Sequence, residues 1–338
     1  MSLANKYRPK KLDEVVEQEL IVEMLTNMCK SELSNRNFLF TGPAGVGKTS
    51  FARIIANTLN SGAGDIIEID AASYSGADKM REIVQQARMY PISGKYKVFI
   101  IDEVHALSAQ AWAVALKTLE ESPAMTVFML CTTNPEKIPD TILSRVQRFN
   151  LSKISLSGIT DRLTYVLESE MIECPDIKYT DAAVKYIAKL ANGGMRDALT
   201  LLDKALAYSK DITSENLVNA LGLPNYDDYF KLLSAIAKKD NATISSVVHD
   251  VYNSGTNFVK WFEGFHAFIM NIVKFIFIQD ISKTMIPEHY ASKLSKYGAA
   301  HSAICLQLAN KLLKMNSELK NTAYQQELAL TYLCIPTK

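Results

Sequence analysis

Residues 41–50 read TGPAGVGKTS, placed between the apolar run NFLF (37–40) and the amphipathic run TSFARIIANTLN (49–60). Gly42, Gly47, Lys48 and Thr49 satisfy G-x-x-x-x-G-K-[ST] in the order strand, loop, helix. Glycines let backbone N–H groups turn inward around phosphate oxygens, and the following helix points its positive end at them. Lys48 then reaches the outer phosphates, and the Thr49 hydroxyl suits magnesium. Gly42, Pro43, Ala44, Gly45, Val46, Gly47, Lys48, Thr49 and Ser50 are therefore the expected nucleotide-binding segment. A glycine turn that merely joins strand to helix is the alternative, and the flanking pattern argues against it.

The chain around this loop has 338 residues, 48% hydrophobic and 22% charged, enough for two or three domains with buried cores. Lysine and arginine number 37 against 36 acidic residues, so any polyanion site must be a local patch. Five scattered cysteines (29, 131, 174, 305, 334) form no C-x-x-C pair, which predicts neither a disulfide framework nor a zinc ribbon and fits a reducing, cytoplasmic setting. MSLANKYRPKKLDEVV (1–16) has no apolar core of the kind a secretory signal needs. Residues 258–281 are strongly apolar, but Lys260, Glu263, His266, Asn271 and Lys274 interrupt them, so a helix buried between helices or subunits is expected in place of a membrane span.

Up to about residue 150, short apolar runs alternate with helical patterns: NFLF, DIIEID (65–70), KVFIID (97–102), TVFMLCTT (126–133) and QRFNL (147–151). That rhythm predicts a mostly parallel sheet covered by helices. In SAQAWAVALKTLEE (108–121), Trp112, Ala115, Leu116 and Leu119 share one helical stripe, with Ser108 as the N-cap. Beyond residue 153 only amphipathic helices are expected, with a boundary near LGLPNYDD (221–228), where Gly222 and Pro224 break the pattern.

KVFII ends in Asp102 and Glu103. At the carboxyl edge of such a sheet Asp102 would hold magnesium, directly or through water, and Glu103 would orient and polarise an attacking water. Two acids that merely cap a strand are the alternative. Thr133 and Asn134 close the fourth run, where either can hydrogen-bond that water or the terminal phosphate. Arg145 and Arg196 are candidates for neutralising charge during phosphoryl transfer.

The order KYRPKKLDEVV, GPAGVGKT, EIDAAS, KVFIIDEVH, ALKTLEE, TTNPEKIPDTILSRV and GGMRDALTLLDKA resembles the ATP-hydrolysing subunit of the bacterial DNA polymerase III clamp loader, of the AAA+ class, closely through about residue 205 and weakly beyond. The resemblance implies a RecA-like α/β P-loop AAA+ domain with a parallel sheet (1–153), a small helical lid (154–220) and an all-helical collar for oligomerisation (221–338). It implies ATP and magnesium as cofactors. The implied partners are other clamp-loader subunits in a pentamer, a sliding clamp and primer-template DNA. Tyr7, Arg8 and Pro9 would border the adenine site, Thr133 would be the first sensor and Arg196 the second. Arg145 would be the finger inserted into a neighbour's site, in a Ser-Arg-Cys motif whose cysteine is here Val146.

The family's four-cysteine zinc module is absent from NTLNSGAGDIIEID (57–70), so no zinc is expected and a compact or phage-encoded relative of the short form is implied. Tyr74, Lys79 and Lys137 are candidate DNA contacts, and ALSAQAWAV (106–114) is a candidate clamp-facing helix unless Trp112 is core. Two other functions remain open. DEVH (102–105) also spells a DExH helicase box, which would call for a second RecA-like domain; a non-catalytic scaffold subunit would be expected to lack the loop or acidic residues that are present.

Overall fold

The computed structural model describes residues 1–30, 36–61, 64–223, 226–287 and 290–334. Two compact units emerge, Met1–Ile177 with Ile187–Asp203, and Lys178–Tyr186 with Lys204–Lys338. Through the first run α1 (Leu3–Lys6), α2 (Glu19–Lys30), β1 (Asn37–Thr41), α3 (Lys48–Leu59), β2 (Ile66–Asp70), α4 (Ala77–Ala87), β3 (Lys97–Asp102), α5 (Ala109–Glu120), β4 (Thr126–Thr132), α6 (Asp140–Leu143), β5 (Gln147–Asn150) and α7 (Leu156–Glu173). The five strands form one parallel sheet in the order β2-β3-β4-β1-β5. Each lies within a residue or so of the apolar run that predicts it.

These strands read as near-continuous apolar runs because helices cover both faces, while side chains still alternate with period two. Leu39, Phe99, Ile101, Phe128 and Leu130 face the side of α4 and α5, with Met80, Ile83 and Trp112. Phe38, Phe40, Val98, Ile100, Val127 and Met129 face the side of α3, with Phe51 and Ile55. The Phe40 ring stacks on Phe149 at 5.5 Å and Phe51 at 6.4 Å between centroids. Ser108 caps α5 as expected, its Oγ accepting the Ala111 N–H at 3.2 Å. Trp112 is buried, so it packs the core of the first unit and offers no docking surface.

In register, Thr41 lies opposite Thr132 of β4 and Asn150 of β5, and Asp70 opposite Asp102. Parallel strands put all their carboxyl ends on one edge. The loops after β1, β3 and β4 thus leave side by side, although the three strands are far apart in the sequence.

The remaining elements are β6 (Lys178–Tyr179), α8 (Asp181–Leu190), α9 (Met195–Tyr208), β7 (Asp211–Ile212), α10 (Ser214–Leu221), α11 (Tyr226–Lys238), α12 (Asn241–Asn253), α13 (Phe258–Ile278), α14 (Ala291–Leu319) and α15 (Gln325–Cys334). The parallel β6–β7 pair corrects the expectation of helices alone past residue 153. Two-residue strands carry no alternation for a sequence to display. Gly222 closes α10 in the left-handed conformation; Pro224 lies outside the described residues.

In the second unit α13 is long and apolar enough to cross a bilayer by length and composition. Its buried residues Phe258, Trp261, Phe262, Phe265, Phe268, Ile269 and Ile272 recur at three- and four-residue spacing and join α11, α12, α14 and α15 in one core. Within it the Tyr229 hydroxyl donates to the Trp261 carbonyl at 2.9 Å, which satisfies a polar group that burial would otherwise penalise.

Candidate active site

After Thr41 the chain turns through the glycine loop into α3. Gly42 has φ +140°, and a Cβ there would stand 2.3 Å from the Leu151 carbonyl oxygen, so backbone approach as well as conformation demands glycine. Gly45, at φ +75°, has the Gly194 Cα 3.2 Å from its would-be Cβ, and its carbonyl accepts the Arg196 N–H at 3.3 Å. The loop is thereby fixed between the chain after β5 and the start of α9. Around Gly47, which precedes α3, no atom lies within 4 Å of a would-be Cβ. An open face backed by a helix N-terminus is the arrangement that takes a phosphate.

Lys48 is 6% exposed and donates from Nζ to the carbonyls of Gly42 at 2.9 Å and Pro43 at 2.7 Å. Burial pushes its pKa below the usual lysine value, against the opposing pull of Glu103, Cys131 and Asp102. A buried ammonium hydrogen-bonded to neutral carbonyls gains from an anion placed on the loop.

The Thr49 hydroxyl donates to Asp102 Oδ2 at 2.6 Å, and the Glu103 N–H donates to Asp102 Oδ1 at 3.0 Å. A hydroxyl and a carboxylate meeting at the edge of the phosphate loop are hard oxygen donors that fit magnesium. Glu103 itself adopts a left-handed backbone, φ 48° and ψ 42°, a conformation that costs a non-glycine residue roughly 1–3 kcal/mol. Its carboxylate accepts the Thr133 hydroxyl at 3.2 Å on Oε2. Of the two candidates after β4, then, Thr133 reaches the acid, whereas the Asn134 N–H donates to Thr132 Oγ1 at 3.0 Å.

Ala44–Phe51, Asp102 and Glu103 line one cleft together with Tyr7, Arg8, Pro9, Val15, Val16, Ile154, Arg162, Arg196 and Leu199. The Tyr7 hydroxyl donates to Glu170 Oε1 at 2.7 Å, and Arg162 Nη2 donates to the Tyr7 carbonyl at 3.3 Å, so α7 holds the amino-terminal segment over the cleft. Burial, then the Glu170 hydrogen bond, raises the Tyr7 pKa to about 12. The Arg8 pKa is lowered by burial first, then by Arg53 and Arg196 among its neighbours. Cations crowded against a partly buried cleft mark a place for polyphosphate. Arg162 and Glu170 escaped the sequence reading because they sit on an ordinary amphipathic helix with no motif around them.

Other expected residues lie elsewhere. Arg145 does not line this cleft; its Nη1 donates to the Thr141 carbonyl at 2.6 Å and Ser144 Oγ at 3.1 Å, and its Nη2 to Glu120 Oε1 at 3.0 Å. Val146 is buried in the core, filling apolar space where the resembled motif has cysteine. Tyr74 and Lys79 stand together at the start of α4, the ammonium 5.8 Å from the ring centroid and paired with Glu82 at 2.6 Å. Lys137 is exposed in the turn after β4, on the same carboxyl edge of the sheet as Tyr74.

Comparison with known proteins finds similarity to DNA polymerase III subunits. Residues 63–155 match the model of the DNA polymerase III delta subunit, and residues 158–211 that of the DNA polymerase III clamp loader subunit ATPase lid domain. DNA polymerase III subunit gamma of Buchnera aphidicola subsp. Schizaphis graminum is 32% identical over 94% of this chain and 92% of its own length. DNA polymerase III subunit tau of Bacillus subtilis is 35% identical over 78% of this chain, and that of Escherichia coli 34% over 77%. The chain spans only 50% and 42% of those two relatives. Among solved structures, the Thermotoga maritima RuvB Holliday junction branch migration motor superposes with a TM-score of 0.52 at 22% identity, over 68% of this chain and 79% of its own. That likeness bears on the fold alone.

Proposed function

The chain belongs to the gamma/tau family of DNA polymerase III clamp-loader subunits, with an AAA+ ATPase fold, and on that premise we propose that it is a motor subunit that hydrolyses ATP to load a sliding clamp. ATP binding would favour an assembly that opens the clamp and grips primer-template DNA, and hydrolysis would release both. The observation that carries this reading is the run of hydrogen bonds from Thr49 through Asp102 and Glu103 to Thr133, beside a loop whose Gly42 and Pro43 carbonyls hold Lys48.

Tyr7, Arg8 and Pro9, with Val15, Val16 and Leu199, offer the base and ribose a partly apolar wall. The N–H groups of the loop and the Lys48 ammonium receive the phosphates. Thr49 and Asp102 would hold magnesium, which would supply charge neutralisation for the outer phosphates. Glu103 accepts a proton from the attacking water, Thr133 fixes Glu103 from the neighbouring strand, and Arg196 reaches the terminal phosphate from α9. Arg145 serves the site of an adjacent subunit. The three-part division at residues 153 and 220, a pentamer joined through the final helices, DNA contacts at Tyr74, Lys79 and Lys137, and a cytoplasmic location complete the proposal. A scaffold subunit is disfavoured by the intact loop and acids, and a helicase because the only other sheet among the described residues has two short strands.

Glu103→Gln tests the reading, because it removes the proton acceptor while leaving Asp102 and Thr49 in place. The variant should bind ATP with wild-type affinity and lose at least about 100-fold in turnover. Wild-type turnover would remove Glu103 from the chemistry.

A further inference from the structure

His105 has no assigned part in the scheme above, yet it follows Asp102 by only three residues, in the same turn. It lies in the short 3-10 helix Val104–Ala106 with a side chain 18% exposed. Its Nδ1 is 3.2 Å from Glu103 Oε2 and 3.0 Å from Thr132 Oγ1. The Thr132 residue is fully buried, and its hydroxyl oxygen already accepts the Asn134 N–H at 3.0 Å. Thr132 therefore anchors the ring from inside the sheet.

An ionised carboxylate only accepts hydrogen bonds, so an attractive contact between Nδ1 and Glu103 requires the proton on Nδ1. With that proton in place Nδ1–H is shared between the Glu103 and Thr132 oxygens. The Thr133 hydroxyl donates to the same Oε2 at 3.2 Å. Two donors thus converge on one oxygen of Glu103, one from its own turn and one from the residue after β4. Oε1 accepts neither of them and is left to take the proton of a water. The Glu103 side chain is 37% exposed on a left-handed backbone, and it would otherwise sample several rotamers.

We infer that His105 is a positioning residue for ATP hydrolysis: its Nδ1–H, braced by Thr132, fixes Glu103 through Oε2 and presents Oε1 to the attacking water. The inference rests on the proposed role of Glu103. It assigns a task to the last residue of DEVH that owes nothing to nucleic-acid unwinding. His105 touches neither nucleotide nor water, and it acts through the acid.

The test compares His105→Ala and His105→Asn in the full chain, assayed in the assembly where the wild type hydrolyses ATP, with Lys48→Ala and Glu103→Gln beside them. Asparagine can place an amide N–H near the position of Nδ1, whereas alanine removes the donor. His105→Ala should lower kcat about 10- to 100-fold, as for loss of one charge-assisted hydrogen bond, with KM for ATP and binding of a non-hydrolysable analogue within about twofold. Asparagine should recover most of the loss, and His105→Ala should cost little more in a Glu103→Gln background. Unchanged or raised kcat in His105→Ala, beside inactive Lys48→Ala and Glu103→Gln, would overturn the positioning role and leave the site assignment standing. Equal losses in the alanine and asparagine variants with weakened nucleotide binding would reduce His105 to a packing residue. Full activity in Glu103→Gln would overturn both readings.

Discussion

Replacing Arg145 with alanine should abolish most ATP turnover without weakening ATP binding to the same chain. In the single chain its guanidinium is turned onto its own surroundings, against the Thr141 carbonyl, Ser144 Oγ and Glu120 Oε1, and it is absent from the cleft. The Arg145 and Glu120 side chains are 29% and 55% exposed, so solvent screens the pair and separating it costs about 1 kcal/mol or less. An arginine finger contributes roughly 10³ to 10⁵ in rate, or about 4–7 kcal/mol of transition-state stabilisation. The intramolecular tether is too weak to withhold the arginine from a neighbouring site. Arg145→Ala should thus lose about 10³-fold or more in kcat while its ATP dissociation constant stays within about twofold. Glu120→Gln should alter kcat by less than about fivefold. Mixing Arg145→Ala with Lys48→Ala creates interfaces where an intact arginine faces an intact loop, and partial ATPase activity should return in assemblies verified by size measurement. Mixed assemblies that form and stay inactive would refute the action in trans. A loss in Glu120→Gln as large as that in Arg145→Ala would refute the comparison of energies.

Lys48→Ala should lose nucleotide binding, read by titration with a fluorescent ATP analogue, while circular dichroism and melting change little. The two carbonyl hydrogen bonds it removes are offset by relief of a buried ammonium. Gly42→Ala should be worse for folding than Lys48→Ala, because its methyl would meet the Leu151 carbonyl at 2.3 Å in a left-handed conformation; a melting temperature equal to the wild type would contradict that contact. Elemental analysis of the purified chain should find no stoichiometric zinc, since the cysteines lack ligand spacing. One zinc per chain would show that distant ligands assemble.

The phosphate loop, five strands and the Ser108 cap were legible in the sequence because each is local. A glycine spacing, a short apolar run or a serine before a helical stripe expresses its constraint within one or two turns of chain. The same locality made Asp102 and Glu103 readable at the end of a strand. The sheet order, by contrast, is a long-range fact. It inserts β4 between β1 and β3, and only that insertion brings Thr133 to Glu103 and sets Thr132 behind His105. Tyr7 meets Glu170 across 163 residues, and Gly42 meets Leu151 across the adjacent strand end. No periodicity announces such pairs, because each partner taken alone is an ordinary tyrosine, glutamate or leucine. Arg145 was recognisable by motif, but its hold on Glu120 depends on how α5 and the turn before β5 pack. The sequence by itself determined what this protein can grip, since phosphate binding needs a short stretch of backbone. The tertiary structure decided what meets Glu103 Oε2, since the Thr133 hydroxyl and His105 Nδ1 reach it from just beyond the ends of two neighbouring strands.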